Sequence, residues 1–198
     1  MLESIPGSDV RDIDIRRALR RDVDSLHAND PDTIVIEELG LCQGLARVDV
    51  AVINGSAHGY EIKSERDTLA RLPSQSDTYN RIFDYVTIVA APTHLQKIAD
   101  AVPKWWGISV ASAGGDGVKI VVKRAPRLNG HVDPVALAQL LWRDELLEEL
   151  VVLGLAAGMK SKPRRELWRH LAASVPIIQL GEIVRRRIKQ RAPDWRLH

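Results

Sequence analysis

The segment ARVDVAVINGSAHGYEIKS, residues 46–64, constrains the fold more than any other stretch. Two strand-forming runs flank an Asn54-Gly55 turn signal, and both carry charge where a buried strand would place apolar side chains. Side chains alternate faces along a strand, so Glu61 and Lys63 share one face while Tyr60 and Ile62 take the other. On the preceding run Val48, Val50 and Val52 define one face, which leaves Asp49 on the other with Arg47 and Ala51. Directly opposed residues of an antiparallel hairpin point to the same face. A two-residue Asn54-Gly55 turn sets Asp49 opposite Tyr60 and parts it from Glu61, whereas a three-residue loop, 53–55 or 54–56, puts both acids on one face. If Asp49 and Glu61 act together, the loop has an odd number of residues.

Two carboxylates within about 4 Å repel by roughly 4 kcal/mol at an effective dielectric of ~20, so apolar strands do not carry them together without cause. A divalent cation supplies one: Mg²⁺ and Mn²⁺ take oxygen ligands, typically one or two carboxylates completed by water and substrate phosphate. Lys63, on the face of Glu61, is placed to orient or help deprotonate an attacking water and to offset phosphate charge. Glu38, on the strand-forming run TIVIEEL, adds a third acid, with Glu37 as the alternative. An acid-x-Lys triplet alone arises by chance about once in a chain of this size and reads as a cross-strand ion pair. The ordered set is more specific: Glu38, Asp49, Glu61-x-Lys63, then a helix with Gln75 and Tyr79 one turn apart.

In that order the residues resemble the PD-(D/E)xK nuclease superfamily. The Gln75-x-x-x-Tyr79 element is similar to that of its RecB-like branch, and the run from Gly44 through Arg47 and Asp49 to EIKS is similar to MmcB-like DNA-repair proteins. The resemblance covers residues 33–91 and implies a mixed sheet flanked by helices, a Mg²⁺ or Mn²⁺ site and hydrolysis of phosphodiester bonds in DNA. It implies Asp49, Glu61 and Glu38 as metal ligands, Lys63 as the catalytic lysine, and Gln75 and Tyr79 as support for the site or the DNA. Val48 stands where the motif's proline would precede Asp49.

The rest of the chain is consistent with an α/β fold of that restriction-endonuclease-like kind, with a small C-terminal helical unit. Apolar periodicity predicts a helix from about Ser8 or Asp9 to Leu26, with Arg16, Arg17, Arg20 and Arg21 toward water. After the hairpin it predicts a helix from about Pro73 to Phe83, a buried strand DYVTIVA, a helix ended by Pro103, and strands GISVAS and VKIVVK. Only helical patterns follow, over 134–153, 163–173 and 177–190. The loop RAPRLNGHVDP divides an α/β domain, 1–127, from a basic helical domain, 128–198.

Charge is unevenly spread. The net charge is +2, yet the segment from Met159 onward holds eleven Lys and Arg against three acids. Such asymmetry marks a nucleic-acid partner or a solvated helix face, and the helix–turn–helix around 146–171 faintly resembles the SAP type of DNA-binding motif. Arg47, Lys160, Lys162, Arg164 and Arg165 are the candidate DNA-binding residues. Lone Cys42 excludes an internal disulfide and suggests a reducing, cytoplasmic setting, and no stretch is apolar enough to span a membrane. The six histidines lack metal-ligand spacing. Ser64 to Asp67 are read as capping the next helix, and at least one of Trp105 and Trp106 as core. A homodimer stays open. The expected function is a divalent-metal-dependent deoxyribonuclease; the alternative is a nuclease-like fold that binds nucleic acid or supports assembly without cutting.

Overall fold

The computed structural model describes residues 10–115 and 117–191. Helix α1 (Asp12–Leu26) is followed by strands β1 (Ile34–Leu41), β2 (Ala46–Ile53) and β3 (Ala57–Lys63), then helix α2 (Leu72–Asn80) and strand β4 (Tyr85–Ala90). Helix α3 (Leu95–Ala101) precedes strands β5 (Gly107–Gly114) and β6 (Gly117–Arg124), and the chain closes with helices α4 (Pro134–Ala138), α5 (Arg143–Val152), α6 (Arg164–Ser174) and α7 (Ile177–Arg191). The strands form one six-stranded sheet in chain order. The β3–β4 and β4–β5 pairs are parallel and the others antiparallel, so this is a mixed sheet flanked by helices, the fold class expected.

Each sheet face meets a different layer. Val10, Ile15, Leu19 and Val23 of the α1 segment pack on Val50, Val52, Ile62, Val89 and Ala111. The opposite face, with Ile53, Ile88 and Ile108, meets Tyr79, Phe83, Ile98 and Trp106 and the C-terminal helices through Leu141, Leu146, Leu167 and Leu180. The helices after residue 128 thus form a unit in sequence while contributing their apolar side chains to the sheet's own core. Asn129 ties the connection down, its amide donating to the carbonyls of Asn80 and Phe83.

Several local expectations shift. The helix expected over 134–153 is two, because Trp142 is extended and starts α5 afresh with Glu145 accepting from its backbone N–H. The caps expected at Ser8 and Asp9 lie outside the described residues; Arg11 is the N-cap of α1, and Asp12 and Asp14 complement its dipole. Leu26, though it continues the apolar spacing of α1, is 74% exposed. Asp67 accepts from the backbone and hydroxyl of Ser64, closing the end of β3 instead of capping α2, whose N-cap is Arg71. Trp106 is fully buried and stacks on Tyr79.

Candidate active site

The β2–β3 register pairs Ile53 with Ala57 and Val50 with Tyr60, so the loop is the three residues Asn54, Gly55 and Ser56. Asn54 builds that loop: its backbone N–H donates to the Ser56 carbonyl while its side-chain oxygen accepts from the Ser56 N–H. Continued by one step, the same register sets Asp49 opposite Glu61. On the other side Glu37 pairs with Val50 and Leu39 with Val48, which brackets Glu38 opposite Asp49. Glu38, Asp49 and Glu61 therefore form a row across three neighbouring strands.

The row sits where the strand alternation slips. Val35 packs toward α1 and Ile36 toward the opposite layer, yet Leu39 and Leu41 both join that opposite layer; on β2, Val50 faces α1 and Val48 does not. Glu38 causes the slip on β1, with a φ of 59° in the left-handed region that costs a non-glycine residue about 1–3 kcal/mol. Cys42 and Gln43 also have positive φ in the turn that follows. Asp49 lies between Val48 and Val50, at the slip on β2, and so does not project simply from the face of Arg47 and Ala51. Its carboxylate lies sideways, Oδ2 accepting the backbone N–H of Ile62 at 2.7 Å.

Glu61 and Lys63 are buried, at 2% and 4% exposure. The Lys63 ammonium donates to Glu61 Oε1 at 2.6 Å and to Gln75 Oε1 at 3.1 Å, and the Gln75 amide nitrogen donates to the same Glu61 oxygen at 2.6 Å. Gln75 thus clamps acid and lysine together. The Tyr79 hydroxyl is 2.6 Å from Glu61 Oε2 and 2.8 Å from the Arg47 carbonyl oxygen. One phenolic proton cannot serve both acceptors. With Glu61 ionised Tyr79 donates to it; with Glu61 protonated the carboxylic acid donates to Tyr79, which turns its proton to Arg47. Burial and the nearby Asp49 charge push the Glu61 carboxyl up, against the pull of Lys63. Burial and the Glu61 charge push the Tyr79 phenol up, which keeps it a donor.

The sequence pattern places Arg16 toward water, and the structure places it in the site. The side chain is only 14% exposed and reaches into the acidic row: Nη1 donates to the Asp49 carbonyl at 2.9 Å, and Nη2 lies 2.9 Å from Asp49 Oδ1 and 3.0 Å from Glu38 Oε1. The one sequence signal for it is a basic residue on the border of the apolar stripe of α1, one position after Ile15. Glu38 turns its other oxygen to Arg47, whose side chain is 68% exposed. Glu37, the alternative acid, lies 3.7 Å from Arg20 and does not join the row.

Asp49 and Glu61 offer the oxygen donors that a hard divalent ion takes. Among the described residues no group of three or more His, Cys, Asp or Glu side chains is converged enough to hold a metal. Glu38 is turned to Arg16 and Arg47 instead of toward the other two acids.

The basic C-terminal segment divides in two. Arg186 and Arg187 clasp the buried Glu149, Arg191 pairs with Glu145 and lies over the Trp142 ring, and Lys189 pairs with Asp32. Those charges are matched within the protein. Lys160, Lys162, Arg164 and Arg165 are exposed at the start of α6, and Arg164 reaches Gln43 in the turn between β1 and β2, a few residues from Arg47. No helix among the described residues is long and apolar enough to cross a membrane.

In comparison with known proteins, residues 11–194 match the family model described as Bacteriophage P4 protein cII. Protein cII of Enterobacteria phage P4 is 26% identical over 160 residues, which is 81% of this chain. The chain spans 60% of that relative's length. Among solved structures, an SPO1766 protein of unknown function from Silicibacter pomeroyi is similar at 18% identity and a TM-score of 0.41, the match covering 100% of this chain and 97% of that one.

Proposed function

The chain belongs to the bacteriophage P4 protein cII family, and we propose that it is a divalent-metal-dependent nuclease that hydrolyses phosphodiester bonds, with DNA as its substrate. One observation carries the reading: a three-residue loop sets Asp49 opposite Glu61, making a partly desolvated acid pair, with Lys63 hydrogen-bonded to Glu61. Asp49 and Glu61 would hold Mg²⁺ or Mn²⁺, which supplies Lewis-acid polarisation of the phosphoryl oxygen and a more acidic bound water. Lys63 lies beside them to orient that water and to offset charge on the phosphate. Gln75 fixes the lysine and the acid in one geometry, and Tyr79 holds the second Glu61 oxygen. Arg47 and the exposed start of α6 offer cations on one side of the row for the phosphate backbone.

The test is a panel of linear, circular, single-stranded and branched DNA incubated with the full chain and each metal. Cutting that requires Mg²⁺ or Mn²⁺ and is lost in Asp49→Ala and Lys63→Ala, with both variants folded, is the expected result; persistent cutting in both would remove the site.

A second reading is favoured by Arg16. An arginine already neutralises Asp49 and Glu38, and both Glu61 oxygens have donors, as befits a nuclease-like fold that binds nucleic acid without cutting. That protein would show salt-sensitive DNA binding and no metal-dependent cleavage.

A further inference from the structure

Asp49 has one carboxylate oxygen tied to the backbone of β3 and one tied to Arg16. The first bond joins β2 to β3 inside the sheet, held by strand geometry. The second comes from a side chain on α1, which can leave without disturbing a strand. Oδ1 is therefore the exchangeable donor of Asp49, and Arg16 occupies it. The same Nη2 atom lies 3.0 Å from Glu38 Oε1, so one guanidinium nitrogen bridges two acids of the row.

We propose that Arg16 is the resident counter-cation of the acidic row, exchanged against the divalent ion, so that it sets the ion concentration at which the site loads. The inference rests on the metal-site reading above, though not on cleavage. A guanidinium fits this role better than an ammonium, because its fork donates to the Asp49 carbonyl and carboxylate together. Asp12, one turn earlier on α1, gives the displaced side chain a second acid: Arg16 Nε already lies 3.5 Å from Asp12 Oδ1. Glu38 also faces Arg16, and Arg47 pairs with the Glu38 oxygen that Arg16 does not use, so the outer acid keeps a partner when Arg16 departs. Linkage makes the coupling reciprocal: the tighter Arg16 holds Asp49, the weaker the apparent affinity of the ion, typically 5–150-fold for a coupling of this kind.

The experiment titrates Mn²⁺ into the full chain without DNA, reading free ion by electron paramagnetic resonance, for wild type, Arg16→Gln and Arg16→Lys. Arg16→Gln is expected to bind Mn²⁺ about tenfold more tightly or better, and Arg16→Lys, which keeps the charge and loses the fork, to fall between. Adding Asp49→Asn to Arg16→Gln should abolish the gain. A purely structural arginine predicts the reverse sign, since its loss would disorder Asp49 and weaken binding. Equal or weaker Mn²⁺ affinity in folded Arg16→Gln overturns the inference and leaves the nuclease reading standing; if that variant does not fold, equal or weaker affinity in Arg16→Lys does the same. Absence of Mn²⁺ binding in wild type and in every Arg16 variant overturns both.

Discussion

The Glu61 carboxylate accepts from Tyr79 on one oxygen and from Lys63 and Gln75 on the other, so the most buried acid of the row has a donor on each side. Burial and the charge of Asp49 raise the Glu61 carboxyl, against the pull of Lys63 and of the Tyr79 hydrogen bond. Stability should follow pH accordingly. An acid whose folded value lies above its unfolded one binds more protons when folded, so its contribution is fully present below the ordinary value of 4.5 and is lost as pH rises through the folded value. Urea midpoints of metal-free wild type should fall over that window, and Glu61→Gln should flatten the slope. Mn²⁺ should oppose the fall, and its binding should weaken on acidification with uptake of protons by Glu61.

Removing Lys63 leaves a buried carboxylate without its cation. Lys63→Ala should cost about 3–5 kcal/mol at neutral pH, the range for breaking a buried pair on one side. The penalty should shrink on acidification, where Glu61 protonates. Equal loss at both pH values, by urea denaturation, would show that packing and not charge dominates.

Tyr79→Phe keeps the ring stack on Trp106 and removes the hydroxyl that lies between Glu61 and the Arg47 carbonyl. Its cost should be about 1–3 kcal/mol, that of leaving a buried acceptor unpaired. Because the same hydroxyl favours ionised Glu61, the variant should also need more Mn²⁺ for half-saturation.

Gly59 lies over the Phe83 ring: a Cβ there would stand 2.8 Å from Cε2 and 2.9 Å from Cδ2. Phe83 is fully buried and meets Tyr79 edge-on, so it has little room to yield. Gly59→Ala should destabilise by about 1–3 kcal/mol, as overpacking does, measured by thermal or urea unfolding. A neutral result would mean that β3 and the Phe83 ring separate more easily than their packing implies.

The two groups of C-terminal cations should separate in DNA binding. Replacing Lys160 or Arg165 by Ala should reduce the slope of log affinity against log salt by roughly 0.9 for each phosphate that is no longer neutralised. Arg187→Ala should leave the slope alone and instead lower stability, because that side chain pairs with the buried Glu149. Filter binding across a salt series, beside a urea titration, distinguishes these outcomes.

The alternating pattern of residues 46–64 determined a great deal. It specified two paired strands, and it tied any joint action of Asp49 and Glu61 to a loop of odd length; the Asn54 to Ser56 loop has three residues. Gln75 and Tyr79, spaced by one turn, both reach Glu61 as helical spacing allows. These relations are local or follow from a single register, so sequence carries them. Tertiary structure decided the rest. Arg16 has the pattern of a solvent-facing arginine because helical periodicity ranks residues only by their own apolar neighbours; it turns inward because α1 packs across the sheet beside Asp49 and Glu38. Likewise the run of cations in α7 reads as a surface for a partner, until packing brings Glu149, Glu145 and Asp32 against it. Charge partners distant in the chain are chosen by how layers stack, and no local pattern in the sequence encodes that choice.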